Sequence, residues 1–231
     1  HAPPLGEWRP PSLAKRTAGP AAQGGEGGEG GEGGEGGEGG IDAGKVGTDP
    51  VAYLTALDVM AAHIHAGRDA YAAGQTGPAG EMFAHAIAEV YAEVETTLVA
   101  RGVAPFGEVM ERATSLALDG APPAEVEKAA SAILSALHGA EAKAPGGGAT
   151  LEAEVHTLAE VIDRTALQYA AARRSPGMLE PYLDGYGFLC AARVRAERVL
   201  PLLDKAGKAE LAGAIRAALR TAGNAFPGAL P

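Results

Sequence analysis

DPVAYLTALDVMAAHIHAGRDAYAAG, residues 49–74, is the stretch that decides the fold. Asp49 can cap a helix, Pro50 suits the first helical position, and Gly74 ends the pattern. Between them the apolar positions alternate at spacings of four and three, which is the period of one helix face. These positions are Tyr53, Leu57, Met60, Ile64, Gly67 and Tyr71. The stretch therefore predicts a helix over residues 50–73.

The same period recurs along the rest of the chain, between glycines, prolines and capping residues. Further helices are predicted over residues 77–101, 106–118, 123–141, 151–173, 175–205 and 208–222. Pro181 predicts a distorted first turn in the helix over residues 175–205, or a later start of that helix. Because no segment alternates apolar and polar residues as a strand does, the sequence predicts an all-α helical bundle.

Two segments that cannot build a core precede the helices. Residues 1–23 form a Pro-rich arm, and residues 24–47 a linker that opens with five Gly-Gly-Glu triplets. Glycine is costly to order, and the glutamates bury nothing, so we expect a flexible tether with a mean reach of about 20–25 Å. Trp8, the single tryptophan, is either an incidental residue of the arm or an anchor that docks a partner. The helical domain then covers residues 48–231.

Composition narrows the function. The net charge of −10 and the sequence pI near 5.1 leave no basic patch for nucleic acid. No apolar run is long enough to span a membrane. The single cysteine, Cys190, excludes an internal disulfide and a cysteine-based zinc site. Nucleophile-elbow, phosphate-loop and His-Glu-x-x-His motifs are absent, so the sequence predicts a protein that is not an enzyme.

The helical domain can be divided into similar halves, residues 48–143 and 150–231. Placing Tyr71 on Tyr169 aligns apolar positions of the first helix in each half, and a one-residue insertion follows at the turn. Glu81 then falls on Glu180, and His85 on Asp184. The pattern is typical of two tandem antiparallel helical repeats, although alanine-rich helices also align by chance.

The first half resembles a known family in AGRDAYAAGQTGPAGEMFAHAIAEVYAEVETTL (residues 66–98) and PFGEVMERATSLALDGAPPAEVEKAASAIL (residues 105–134). A tyrosine before a glycine turn, a helix with a central tyrosine and acids, and a short helix are similar to the extracytoplasmic helical domain of bacterial iron permeases. Imelysin-like periplasmic proteins contain related modules. The chain lacks the permease's membrane helices and its arginine–double-glutamate motif. The resemblance implies an extracytoplasmic helical protein associated with metal uptake.

One group of residues has the composition of a metal site. Glu81, His85 and Glu89 are spaced by four and share one side of the second helix. Glu180 and Asp184 repeat that spacing in the second half. Imidazole and carboxylate together suit iron or copper, and helix bundles build such sites from facing helices.

The alternative is a solvated polar face. At 100° per residue, His85 lies about 160° from Ile87, the centre of the apolar stripe, so it should face water. Asp184 is equally far from Tyr186. The metal site therefore requires that these helices be packed on both sides. His63 flanks the stripe of the first helix, where it is either a further ligand or a half-buried histidine satisfied by a hydrogen bond.

Several other side chains are candidates on weaker grounds. Tyr182 and Tyr186 lie near the second acidic pair, where phenolate oxygens would favour ferric iron. His65 is two residues from His63 and cannot share its direction on a regular helix. His138 and His156 have the pattern of surface residues. An N-terminal His1 can chelate copper, or its position can be a result of trimming.

The sequence thus predicts a secreted or periplasmic protein that binds iron or copper and hands it to a membrane transport partner. The start at His1 fits a removed signal peptide. The competing interpretation is a non-catalytic scaffold or interaction module, tethered to a partner protein through its arm.

Overall fold

The computed structural model describes residues 40–231, and within that range every regular element is a helix. The prediction of an all-α bundle is confirmed. The Pro-rich arm, the Gly-Gly-Glu triplets, Trp8 and His1 lie outside the described residues, so the predictions made for them stay predictions. Among the helices of the described range, none is both long enough and apolar enough to cross a membrane.

The helices follow one another through short turns. In chain order they are α1 (Pro50–Ala72), α2 (Thr76–His85), a π-helical segment (Ala86–Tyr91), α3 (Ala92–Ala100), α4 (Gly107–Leu118), α5 (Pro123–Glu141), α6 (Leu151–Arg174), α7 (Glu180–Lys205) and α8 (Ala209–Ala225). α2, the π segment and α3 are continuous and together match the predicted second helix.

The capping residues in the sequence correctly predict where α1 and α6 begin. The Asp49 carboxylate accepts a hydrogen bond from the Val51 N–H at 2.8 Å, which caps α1. The Thr150 hydroxyl accepts one from the Ala153 N–H at 3.2 Å, which caps α6. α7 starts at Glu180 and not near residue 175, which places Pro181 in its first turn, where a helix needs no N–H from that residue.

α1 is the central helix of the bundle. It packs against α2, α5, α6 and α7. The six positions of its predicted apolar face are all buried, and so are residues outside that face, including Leu54 and Val59 at 0% exposure. A helix buried on nearly every side has no water to solvate its polar groups. The polar side chains of α1 must therefore find partners inside the protein.

One hydrophobic core runs through both halves of the helical domain. Its buried residues extend from Val46 to Ala229 without a break between the α1–α2 and α6–α7 hairpins. Val46 is fully buried, and Ile41 packs against the same core. The last residues of the segment that the sequence assigns to the linker thus contribute to the folded bundle.

Gly187 marks a close approach of α7 to α1. A Cβ at this position would lie within 2.8 Å of the Ala62 carbonyl carbon, and this backbone cannot rotate away. We expect Gly187→Ala to lower the free energy of unfolding by about 3 kcal/mol, measured by urea denaturation. Gly213→Ala is the control, since a Cβ there meets nothing within 4 Å and should stabilise the helix by about 0.5–1 kcal/mol. Equal effects of the two changes would contradict the close approach.

A charged network lies inside the bundle, and the sequence did not predict it. Arg195 of α7 is 1% exposed and donates two hydrogen bonds to Asp58 of α1, at 2.6 and 2.7 Å. Glu141 and Glu154 approach the same guanidinium at 3.4 and 3.7 Å. Arg198 donates a 2.7 Å hydrogen bond to Glu141. The network ties α1, α5, α6 and α7 together.

Candidate metal centre

Three parts of the chain bring imidazole and carboxylate groups together beside α1. His63 comes from the middle of α1, and His85 is the last residue of α2. Glu89 lies in the π segment, and Glu180 and Asp184 lie in the first two turns of α7. Residues from both halves of the helical domain therefore meet at one place.

His63 occupies the floor of this cluster. Its side chain is 4% exposed, and its Nδ1 lies 2.9 Å from the Val59 carbonyl oxygen, which can only accept a hydrogen bond. Nδ1 must then carry the proton, which leaves the lone pair on Nε2. That lone pair faces two carboxylates, Asp184 Oδ1 at 3.6 Å and Glu89 Oε2 at 3.8 Å. Three electron-rich atoms thus converge where a cation would be stabilised.

The protonation state of His63 suits a metal ligand. Burial, and next the positive charge that His85 can carry, lower the pKa of His63 to about 4, against a smaller opposing effect of the Val59 hydrogen bond. At neutral pH the ring is therefore neutral, as an imidazole must be to bind a metal. A hydrogen bond from the other ring nitrogen to a backbone carbonyl is also the usual support of a ligating histidine, because it fixes tautomer and ring orientation.

His85 closes the cluster from the opposite side. Its ring centroid lies 6.0 Å from that of His63. Its Nδ1 is 3.9 Å from Glu89 and its Nε2 is 3.8 Å from Glu180. One ligand atom each of His63, His85 and Asp184 lies within 4.8 Å of the others. These separations exceed those of hydrogen bonds, but they approach the distance of about 3.4 Å between two ligands of one tetrahedral ion.

The expectation that His85 faces water is wrong, because Ile87 does not centre the buried face of this helix. The Ala92 N–H bonds to the Ile87 carbonyl, five residues back, so the turn holds more residues than an α-turn. The fully buried positions are Ala79, Phe83, Ala86 and Val90, so the buried face centres near Ala86, the residue next to His85. Ile87, which the projection placed at the centre of the buried stripe, is only partly buried, whereas Val90 is fully buried. π segments are frequent at functional sites.

The helix that carries His85 is also packed on both sides, as a metal site requires. α2 contacts α1 and α4, and it also touches α7. The His85 side chain is 23% exposed and Asp184 is 5% exposed, so neither lies on an open polar face.

Exposure increases from the floor of the cluster to its rim. His63 and Asp184 are 4% and 5% exposed, whereas Glu89 is 34% exposed and Glu180 is 21% exposed. Glu81 lies one turn before His85 and is partly buried. Burial and the nearby charge of Glu180 raise its pKa, while His85 has the opposite effect. An acidic rim above a buried imidazole attracts cations towards the floor.

The two tyrosines are engaged elsewhere. The Tyr182 hydroxyl donates to the carbonyls of Gly228 and Leu230, at 2.8 and 3.3 Å. The Tyr186 hydroxyl donates to Asp69 at 2.7 Å, and both burial and this bond raise its pKa. Neither phenol is directed at the cluster, so the suggestion that phenolate oxygens favour ferric iron loses its basis.

His65 points away from the cluster, as its spacing from His63 predicts. It lines a small cavity between α1, α5 and α7, near Asp58 and Arg195. His138 is a surface residue as predicted, with 69% of its side chain exposed, and His156 is exposed as well.

His65 makes the stability of the protein depend on pH. Burial and then the charge of Arg68 lower its pKa to about 4, against the opposing charge of Asp69. Below the unfolded pKa of about 6.5 the unfolded chain binds a proton that the folded protein does not. We expect the contribution of neutral His65 to the free energy of unfolding to be complete above pH 6.5. It should fall by about 3 kcal/mol towards pH 4. Urea titrations across this pH range give the free energy of unfolding as a function of pH. His65→Gln should make this dependence less steep, whereas the exposed control His156→Gln should leave it unchanged. An unchanged slope in His65→Gln would contradict the assignment.

Residues that the internal alignment of the two halves pairs with each other lie together in this cluster. His85 and Asp184, which occupy equivalent places in the two halves, both provide ligand atoms to it. The position equivalent to His63 is Val161, and the position equivalent to Glu89 is Phe188, whose ring packs 6.4 Å from that of His63. Only the first half therefore supplies histidine, and the cluster is asymmetric.

The fold and this cluster define an all-α bundle with a histidine–carboxylate site at the junction of three helical elements. No protein-family model, curated protein or solved structure matches the chain. The resemblance to iron permeases and imelysin-like proteins therefore stays an expectation, and function has to be inferred from these side chains.

Proposed function

We propose that this protein binds a transition-metal ion, iron or copper, between His63, His85 and Asp184. The observation that carries the proposal is the orientation of His63, whose protonated nitrogen is held by Val59 while its lone pair faces two carboxylates. Glu89 and Glu180 would act as further ligands or as acids that guide the ion inward, and Glu81 would add to the rim.

The donor set favours some metals over others. Two imidazoles and a carboxylate are the set used by non-haem ferrous sites, and imidazole also suits copper and zinc. Calcium and magnesium prefer oxygen ligands alone. Small rotations of the partly exposed Glu89 and His85 side chains would shorten the present separations to those around one ion. Because the donor set includes no thiolate, a site selective for cuprous ion is disfavoured.

Metal delivery is the role that fits this site best. The rim is partly exposed, and the surrounding elements supply no arrangement typical of hydrolysis, so binding and release are the chemistry that the side chains support. Delivery to a membrane transport partner, and a periplasmic or secreted location, belong to the same proposal. They rest on the sequence resemblance to extracytoplasmic domains of iron permeases.

The test is calorimetric titration of the chelator-treated full chain with Fe²⁺ under anaerobic conditions, and with Cu²⁺ and Zn²⁺. We expect one ion per chain, bound at micromolar affinity or tighter. His85→Ala should lose this affinity while circular dichroism shows unchanged helix content. His156→Ala, which removes an exposed histidine, should bind as the parent does. Equal binding by all three proteins would place the ion elsewhere, and no binding by the parent would remove the proposal.

A further inference from the structure

A groove of about 510 Å³ lies between α6 and α8, away from the histidine–carboxylate cluster. Its walls are mostly apolar, with Ile162 and Ala166 on α6 and Ala222 on α8. Two aromatic rings line it, Tyr169 and Phe226, which pack edge to face with centroids 5.8 Å apart. Tyr169 is 38% exposed and Phe226 is 1% exposed, so Tyr169 presents the accessible ring surface of the groove.

The chain enters the described bundle at α6, the helix that forms one wall of this groove. The carbonyl of Gly40, the first described residue, accepts a 2.7 Å hydrogen bond from Arg164. Arg164 precedes Thr165 on α6, and Thr165 lines the groove. The 39 residues that precede Gly40 are therefore attached at the helix that forms one groove wall.

We propose that the N-terminal arm, residues 1–23, docks into this groove with Trp8 as its anchor. Proline-rich segments bind grooves lined by aromatic rings, since they lose little entropy on binding in an extended form. The arm supplies Pro3, Pro4, Pro10 and Pro11 on either side of Trp8. Tryptophan is the side chain that most often anchors such contacts.

The length of the preceding chain allows the contact. For a glycine-rich chain, the 31 residues between Trp8 and Gly40 give a mean span of about 30 Å, and a helix is only about 10–12 Å across. A tethered segment of this length is present at an effective concentration in the millimolar range, so weak contacts suffice.

The inference is independent of the proposed metal function. Both can hold, and the failure of either leaves the other standing. If the arm docks on its own bundle, it is not free to recruit a partner until it is released. The single tryptophan makes the contact directly measurable in the full chain, because excitation at the red edge of the protein absorption reports on Trp8 alone.

The experiment compares Trp8 fluorescence in the full chain with that in a peptide of residues 1–23. We expect a blue-shifted emission maximum in the full chain and a severalfold lower acrylamide quenching constant. Ala166→Glu, which places a charge in the groove at an exposed helix position, should return both values to those of the peptide. Ala170→Glu is the matched control, since Ala170 is also exposed on α6 but does not line the groove, and it should change neither value.

Each other outcome overturns the proposal. Emission and quenching equal to those of the peptide would show that the arm is undocked and available to a partner. Protection of Trp8 that survives Ala166→Glu would place the contact on another surface. Protection that disappears on dilution would show that the arm docks on a second copy of the chain and not on its own bundle.

Discussion

Replacing His63 with glutamine should weaken iron or copper binding by about 100-fold or more. Loss of a residue that merely supports a ligand typically costs 10–100-fold in affinity, and His63 is placed as a ligand itself. It is the only member of the cluster whose free nitrogen faces both Asp184 and Glu89, at 3.6 and 3.8 Å. Glutamine retains much of the volume and can still be hydrogen-bonded, so the variant should fold. Calorimetric titration with Cu²⁺ and anaerobic Fe²⁺ measures the loss.

His65→Gln provides the matched control for this prediction. His65 lies two residues away on the same helix, is similarly buried, and has its pKa lowered to about 4 as well, but it points into a different cavity. General damage to α1 would weaken binding in both variants, whereas loss of a ligand would affect His63→Gln alone. Electron paramagnetic resonance of the Cu²⁺ form adds a separate readout, since nitrogen hyperfine coupling should change from two imidazoles to one. Equal affinity in both variants would exclude His63 as a ligand.

Part of the candidate site could be predicted from local spacing. Glu81, His85 and Glu89 share a helix side because four residues make about one turn, and Glu180 and Asp184 repeat that interval. The position of His63 follows from the short turn at Gly74, which makes α1 and α2 antiparallel neighbours. Helix bounds were predictable for the same reason, since Asp49 and Thr150 use local hydrogen bonds to cap α1 and α6.

Other parts of the site depend on packing that no local pattern encodes. The π segment has no sequence signature of its own, and the buried face of this helix centres near Ala86 and not near Ile87. The prediction that Tyr182 and Tyr186 lie at the metal site was wrong because their hydrogen-bond partners are distant along the chain. Tyr182, for example, donates to Gly228. Asp58 and Arg195 are separated by 137 positions, and they meet because α7 packs against α1.

The largest loss of stability should come from Arg195→Met. Arg195 is 1% exposed and is hydrogen-bonded to Asp58 through two nitrogens, while Glu141 and Glu154 approach the same group. Burial alone would lower its pKa, but these three carboxylates together raise it, so the guanidinium stays charged. Methionine fills a similar volume, but it removes the guanidinium that Asp58 accepts from and leaves Glu141 and Glu154 with Arg198 alone. Removal of one partner from a buried pair costs about 3–5 kcal/mol, and we expect a loss in this range by urea denaturation.

The bundle contains a natural control for burial. Arg216 and Asp204 form a pair of similar geometry, with the closest atoms 2.6 Å apart, but their side chains are 42% and 45% exposed. Arg216→Met should therefore cost far less than Arg195→Met, because water solvates the carboxylate that remains. If Arg195→Met does not fold, Arg195→Lys tests the same contact, since lysine keeps the charge but cannot donate the paired hydrogen bonds. A loss in Arg195→Lys no larger than in Arg216→Met would refute the role of the buried network.

The double variant Asp58→Leu/Arg195→Met separates the charge left behind from the interaction itself. If most of the loss in Arg195→Met reflects an uncompensated Asp58 carboxylate, the double variant should recover part of the stability, because both charges leave the core together. Recovery should be incomplete, since Glu141 and Glu154 then share only Arg198, which lies 2.7 and 3.8 Å from them. Such a result would explain why a helix as buried as α1 retains an aspartate: once one member of the network is present, removing any other leaves a charge that the core cannot solvate.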